Sequence, residues 1–268
     1  MILIMVFTQP ESTASPLVTL DEVTVIRGAK KALDNMSVQI HPGQSVALVG
    51  PNGSGKTTLL EVLAGLRSPT TGTVHHHDGP RVSVAIVTQR HVGGWMPLTT
   101  REVIRMGRFR STMVPRRLRP DDHAILAAAA ERLAVSDLHD TPLGALSFGQ
   151  RQRVLVAQAL AREADLLLLD EPITGLDLVS QERILAVINQ ETGAGRAVVL
   201  STHHLDEARH CDVVLVLDGR LIAAGPPKTV LVPEVLREAY GERVLGDHAH
   251  HDHAHDLFLV DDHGHGHS

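Results

Sequence analysis

Gly50-Pro51-Asn52-Gly53-Ser54-Gly55-Lys56-Thr57 fits the pattern G-x-x-x-x-G-K-[ST]. Glycines at this spacing let backbone N–H groups curl around a phosphate, while the lysine adds a point charge and the hydroxyl a divalent-cation ligand. An apolar strand over 44–49 precedes the loop, and the pattern predicts a helix over about 56–66, with Thr58 in its first turn. The positive N-terminus of that helix would face the anion. Further along, Leu166-Leu167-Leu168-Leu169-Asp170-Glu171 reads as a buried strand ending in two carboxylates. Open α/β sheets place ligands at that edge. Asp170 suits a Mg2+ shell with Thr57, and Glu171 is placed to orient or activate a water against a γ-phosphate. Alone, each motif could be an ordinary turn. In this order they predict chemistry on a nucleotide.

The surrounding pattern supplies the elements that must hold these residues. Strands are expected over 17–26 and 31–40, joined by a turn around Gly28, and again over 82–88, 166–169, 197–201 and 213–217. Asp218-Gly219 reads as a hairpin turn into 220–223. Between 91 and 162 no strand is evident, and residues 121–134 and 150–162 carry helical spacing. Apolar strands alternating with helices predict an α/β fold with a mostly parallel sheet. Residues 1–16 are expected to be a flexible lead-in. Their apolar start, Met1–Phe7, is short and follows no basic residue, so it reads as a frayed end rather than a signal peptide.

Composition narrows the function classes. The chain has 268 residues, a net charge of −6, one cysteine and 2% aromatic residues. That balance argues against a nucleic-acid partner, and a lone Cys211 excludes a disulfide framework or a multi-cysteine metal site. No segment approaches the roughly 20 apolar residues of a membrane span, so any membrane role would come through another chain.

With these motifs in this order, the chain resembles the ATP-binding subunit of ABC transporters over about residues 17–240. Leu146-Ser147-Phe148-Gly149-Gln150 looks like that family's signature; Gln89 looks like its Q-loop glutamine, Gly175-Leu176-Asp177 its D-loop and His203 its switch histidine. The resemblance implies a RecA-like P-loop NTPase core with an N-terminal antiparallel β subdomain and an α-helical signature subdomain over about 91–162. It implies that residues 50–58, Gln89, Asp170, Glu171 and His203 serve bound ATP and Mg2+, with Thr57, Gln89 and Asp170 around the metal. Glu171, His203 and Gln89 would serve hydrolysis. Ser147, Gly149 and Gln150 would close on ATP held by a second ATPase subunit, most simply a second copy, and Asp177 would communicate across that dimer. Three positions depart from the family pattern. Phe148 replaces a glycine, His204 stands where Asp is common, and Arg27 falls near the aromatic that stacks on adenine. A guanidinium can stack there or stay solvated.

The stretch 95–108, with Gly225-Pro226-Pro227-Lys228 and Ala239-Tyr240-Gly241, resembles the zinc/manganese importer branch, and the iron-complex branch second. The resemblance implies separate membrane permease subunits, docked through about 92–108, and an extracytoplasmic solute-binding protein in the same system. The ATPase would then lie at the cytoplasmic face of the cell membrane. Export, another solute, or a non-transport metal-binding role are the alternatives. His75-His76-His77 reads as a surface strand, and Arg116, Arg117 and Arg119 as a solvated basic turn.

The segment 241–268 has its own composition. His248, His250, His251, His253, His255, His263, His265 and His267 alternate with Asp, Ala and Gly. Such a tail cannot bury enough surface to fold alone and is expected to be mobile. Neutral imidazole and carboxylate together suit Zn2+. Because His titrates near a pKa of about 6.5, the tail should bind Zn2+ at neutral pH and release it on mild acidification. Titration calorimetry on the full chain and on a chain lacking 247–268 checks this, and equal zinc stoichiometry in both would remove the tail as the site.

Overall fold

The computed structural model describes residues 15–76, 82–88, 97–109 and 118–241. In chain order the elements are β1 (Val18–Arg27), β2 (Lys30–Ile40), β3 (Ser45–Val49), α1 (Lys56–Leu63), β4 (Thr71–His76), β5 (Val84–Val87), α2 (Thr100–Met106), α3 (Pro120–Arg132) and α4 (Phe148–Leu160). There follow β6 (Leu166–Asp170), α5 (Leu178–Gly193), β7 (Ala197–Thr202), α6 (Leu205–Arg209), β8 (Val213–Leu217), β9 (Leu221–Gly225), α7 (Pro227–Val230) and α8 (Pro233–Tyr240).

They form two sheets. One is antiparallel, in the order β2-β1-β4; the other runs β5-β6-β7-β3-β8-β9 and is parallel except for the β8–β9 hairpin. Every residue of β3, β6, β7 and β8 is buried, as expected of strands covered on both faces. Alternate residues separate two apolar layers. Val46, Leu48, Leu166 and Leu168 face α1 and the antiparallel sheet through Leu59, Leu60 and Leu63. Ala47, Val49, Leu167 and Leu169 face α4 and α5 through Val154, Ala157, Ile184 and Val187.

Several boundaries differ from the expected ones for local reasons. The first helix stops at Leu63 rather than Leu66, where Gly65 turns to φ 68°. In β1 the buried positions run Val18, Leu20, then Val23 and Val25, because a bulge at Glu22 (φ 48°) inserts a residue. Helix α4 begins two residues earlier than its spacing suggests, since Ser147 and Gln150 form a capping box. β4, α2 and α5–α8 are elements that the apolar periodicity did not delimit.

The described elements between 97 and 162 are helical apart from one bridge, Thr99–Pro142. Arg108 fastens them together. Its guanidinium donates to Asp122 (2.8 Å), the Ala161 carbonyl (2.9 Å) and Glu163 (2.9 Å), linking the end of α2 to α3 and to the end of α4. Arg108 is thus committed to internal contacts; in the described part of the expected docking stretch, Pro97, Arg101, Glu102, Arg105 and Met106 are the exposed side chains. Residues 92–96 of that stretch lie outside the described residues.

One device recurs where neighbouring parallel strands begin. Ser45 donates its N–H and its hydroxyl to the Asp212 carboxylate (2.8 and 2.7 Å), and the Asp212 N–H donates back to the Ser45 hydroxyl (2.9 Å). Ser83 and Asp165 repeat the arrangement between β5 and β6. Asp212→Ala leaves the buried Ser45 donors without their acceptor and should destabilise the fold by about 1–3 kcal/mol, read as a lower chemical-denaturation midpoint. Because this clasp lies at the opposite end of the strands from the motifs, nucleotide affinity should not change.

Candidate nucleotide-binding site

β3 delivers the glycine-rich loop, and the loop's path depends on missing side chains. Gly55, at φ 101°, caps α1; a Cβ there would meet the Ala32 carbonyl oxygen at 2.5 Å and Leu33 Cδ2 at 2.8 Å. A Cβ on Gly50 would run into the Leu217 carbonyl. The loop is therefore pressed against β2 on one side and the end of β8 on the other. Its own bonds are Ser54 N–H to the Pro51 carbonyl (3.1 Å) and Gly219 N–H to the Ser54 carbonyl (2.9 Å). No side chain caps α1, and its first turn carries no acid, so the positive end of the helix faces the loop. The buried Ser54 hydroxyl has no protein partner among the described residues. Lys56, 7% exposed, points its ammonium into the loop and donates to the carbonyls of Gly50 and Pro51. Thr58 is buried behind it, and Asn52 and Gly53 face outward.

Asp170 is buried at the end of β6. Its carboxylate accepts from the Thr57 hydroxyl (3.0 Å to Oδ2) and from the Ser201 hydroxyl (2.7 Å to Oδ1). The Ser201 hydroxyl also accepts from the Glu171 N–H at 2.9 Å. Glu171 adopts φ 48°, a left-handed conformation uncommon outside glycine, which re-aims its side chain at the strand end. Its Oε2 lies 3.8 Å from His203 Nδ1, beyond hydrogen-bond length and within ion-pair range when the ring is protonated. A chain of bonds sets the His203 turn: the Thr202 hydroxyl donates to Glu207 (2.6 Å) and accepts from the His204 N–H (2.9 Å). Burial pushes the Glu207 carboxyl above the usual range, and the His203 and His204 rings lie 4.2 Å apart.

These residues fit a phosphate with its divalent cation: a loop with no Cβ at 50, 53 and 55, a buried lysine, and a hydroxyl and a carboxylate 3.0 Å apart. Ser147, Gly149, Gln150 and Asp177 form a separate group. The Ser147 and Gln150 side chains are bound to each other's backbone N–H groups (3.2 and 2.9 Å). A Cβ on Gly149 would sit 3.2 Å from Asp177 Oδ2, so the start of α4 abuts the start of α5. Asp177 caps α5 by accepting from the Ser180 N–H (2.9 Å) and hydroxyl (2.8 Å), bonds that hold its carboxyl below the usual range. Among the described residues no hydrogen bond or ion pair joins this group to the glycine-rich loop. Arg27 is exposed at the end of the β1–β2 hairpin. Gln89 and the eight tail histidines lie outside the described residues. His75 and His76 lie exposed on β4, and His77 falls outside as well.

Two features of the site had no motif to announce them. Ser201 pairs in register with Asp170 across β6 and β7, which motif spacing does not reveal. Thr202 and Glu207 are likewise joined only by the fold. The pattern Ser201-Thr202-His203 carried the signal, since hydroxyls flanking a strand-end histidine can serve as second anchors.

Fold and loop together define a P-loop NTPase. The profile of the family described as ABC transporter matches residues 33–174. The manganese transport system ATP-binding protein of Halalkalibacterium halodurans is 34% identical over 232 residues, covering 84% of this chain and 92% of that protein. The hemin import ATP-binding protein of Rhodococcus jostii is 39% identical over 249 residues (88% and 84%). The zinc import ATP-binding protein of Pseudomonas syringae is 34% identical over 247 residues (90% and 89%). An inward-facing metal-chelate type ABC transporter superposes with TM-score 0.73 at 25% identity, covering 84% of this chain and 89% of that one. The chain belongs to the ABC transporter family, as an ATPase of that family.

Ser201→Ala removes one of the two hydroxyl anchors of Asp170 and the acceptor of the Glu171 N–H. It should lower the turnover number about tenfold and raise the Mg2+ concentration needed for half-maximal activity. Mg2+ titration of steady-state ATP hydrolysis, with ATP binding measured in parallel, reads both effects.

Proposed function

We propose that this chain is the ATP-hydrolysing subunit of an importer that carries a metal ion, zinc or manganese, through a separate membrane-spanning partner. The observation that carries the ATPase half is the hydrogen-bonded chain Thr57–Asp170–Ser201–Glu171 beside the glycine-rich loop. The loop amides and Lys56 bind the phosphates. Thr57 and Asp170, with Gln89, are the residues that would hold Mg2+, which when bound neutralises charge on the phosphate oxygens. Glu171 aligns the attacking water and accepts its proton, and His203 stands opposite it. Arg27 covers the nucleotide from the hairpin end.

Ser147, Gly149 and Gln150 serve the nucleotide held by a second copy, and Asp177 relays between copies. Support comes from the separation of the two groups and from exposed apolar side chains beside the second one: Phe148 (47%), Leu178 (71%) and Val179 (59%). Such side chains mark a surface that a partner covers. No helix among the described residues is long and apolar enough to cross a membrane. Permease subunits supply the passage, the ATPase docks on them at the cytoplasmic face, and an extracytoplasmic solute-binding protein delivers the ion. The metal assignment draws on the His-rich tail and on the manganese and zinc systems to which two relatives' names assign them. The tail, residues 241–268, either senses cytosolic zinc or buffers it. The 39% identity to a hemin import protein favours an iron complex as the second reading. Metal analysis of the complex purified with its membrane partner separates the two.

Glu171→Gln should retain ATP binding, lose hydrolysis by roughly 10²–10⁴-fold and accumulate an ATP-bound dimer. Near-normal turnover in the purified variant would take Glu171 out of this role. Lys56→Ala should instead weaken ATP binding itself. Ser147→Arg should spare binding to the monomer and abolish ATP-driven dimerisation. Mixing Ser147→Arg with Lys56→Ala subunits should restore one working site, and failure of that rescue would place Ser147 in cis.

A further inference from the structure

Lys30 opens β2 and pairs in register with Arg27 across the two-residue turn Gly28-Ala29. The position of this hairpin end relative to the glycine-rich loop is fixed. Ala32 and Leu33 press on Gly55, the Asp34 N–H donates to the Gly219 carbonyl (2.7 Å), and the Gly219 N–H donates to the Ser54 carbonyl (2.9 Å). Held this way, the Lys30 ammonium hangs over the loop: a methyl placed on Gly53 would lie 3.8 Å from Lys30 Nζ. The side chains of Lys30 and Arg27 make no hydrogen bond or ion pair among the described residues. The next residue, Lys31, points to the other face of the strand and is paired with Asp34 at 2.9 Å.

An unpaired ammonium over Gly53, in the loop that also carries Lys56 and leads into α1, adds positive charge to an already positive site. That arrangement is unfavourable by itself and becomes favourable when a polyanion arrives. An ammonium is a compact, strongly hydrated point charge that suits phosphate oxygens better than the face of a base. The geometry points to Lys30 as a further phosphate-binding residue, reaching down on the triphosphate from the β1–β2 hairpin while Lys56 holds it from below. The assignment rests on the reading of residues 50–58 as the nucleotide cradle. It shifts part of the recognition from the base to the phosphates, so a base-free polyphosphate should feel Lys30 as strongly as ATP does.

The test is calorimetric binding of ATP, GTP and inorganic tripolyphosphate to the full chain and to Lys30→Gln, Lys30→Arg, Lys31→Gln and Lys56→Ala. Lys30→Gln should weaken all three ligands by the same factor, roughly three- to tenfold, and by less at high salt. Lys30→Arg should largely restore binding and Lys31→Gln should match the unaltered protein. In hydrolysis, Lys30→Gln should raise KM and leave kcat nearly unchanged, which a purely structural defect would not do selectively. Unchanged binding of tripolyphosphate and ATP by Lys30→Gln would overturn the assignment. So would a loss confined to ATP and GTP, which would place Lys30 on the ribose or base. If the unaltered chain bound no nucleotide, or Lys56→Ala bound it equally well, the reading of the cradle itself would fail, a result distinct from either of these.

Discussion

The buried carboxylate of Asp170 is the contact on which the site's geometry depends. It accepts the Thr57 hydroxyl from the first turn of α1 and the Ser201 hydroxyl from β7, so a single side chain joins the ends of three elements. A buried carboxylate is tolerated only when such donors satisfy it. The sheet order makes this meeting unavoidable, because β6 and β3 flank β7 and their C-terminal ends lie on one edge. Ser201 then passes the constraint on by accepting the Glu171 N–H, which helps keep that residue in its left-handed conformation. Two adjacent carboxylates thereby acquire different surroundings, one anchored by hydroxyls and the other turned towards His203.

The glycine-rich loop is constrained from behind as tightly as from its own sequence. Gly55 lies against the backbone of β2 and Gly50 against that of β8, so the antiparallel sheet and the central sheet both shape the cradle. α1 lies between the two sheets with Leu59, Leu60 and Leu63 fully buried. Movement of that helix would disturb both apolar layers. The loop and the start of α1 are therefore held by packing on both sides. The Ser147 group belongs to the helical region instead, tied to α5 through Asp177, and that region also reaches α5 through the Arg132–Glu191 salt bridge.

Residues 50–58 and the strand ending in Asp170-Glu171 were legible because their chemistry is local. A tight turn, a helix start and a strand end each leave a mark within eight residues. The mostly parallel sheet was legible for a similar reason, since fully buried strands read as unbroken apolar runs. Ser201 and Lys30 were not legible, because each acts through a partner that only the sheet brings near: Asp170 across a strand pair, and Gly53 through the hairpin register. The bulge at Glu22 escaped for the complementary reason. Apolar spacing shows that a strand exists, while a single inserted residue is decided by pairing with β2 and β4.

Arg27 and Phe148 lie on two faces of different physical character. At the hairpin Arg27 presents a guanidinium, and the residue paired with it in register, Lys30, presents an ammonium, so both exposed side chains there are cationic. At the start of α4 Phe148 packs towards Gly175 and leaves 47% of its surface outside. One face carries exposed cationic side chains and the other exposed apolar surface. Beside these faces, Ser147 caps α4 and α1 begins without a side-chain cap. The chemistry at Asp170 and Glu171 therefore keeps its geometry while the strength of each approach to it is set separately, by charge on one side and by burial on the other.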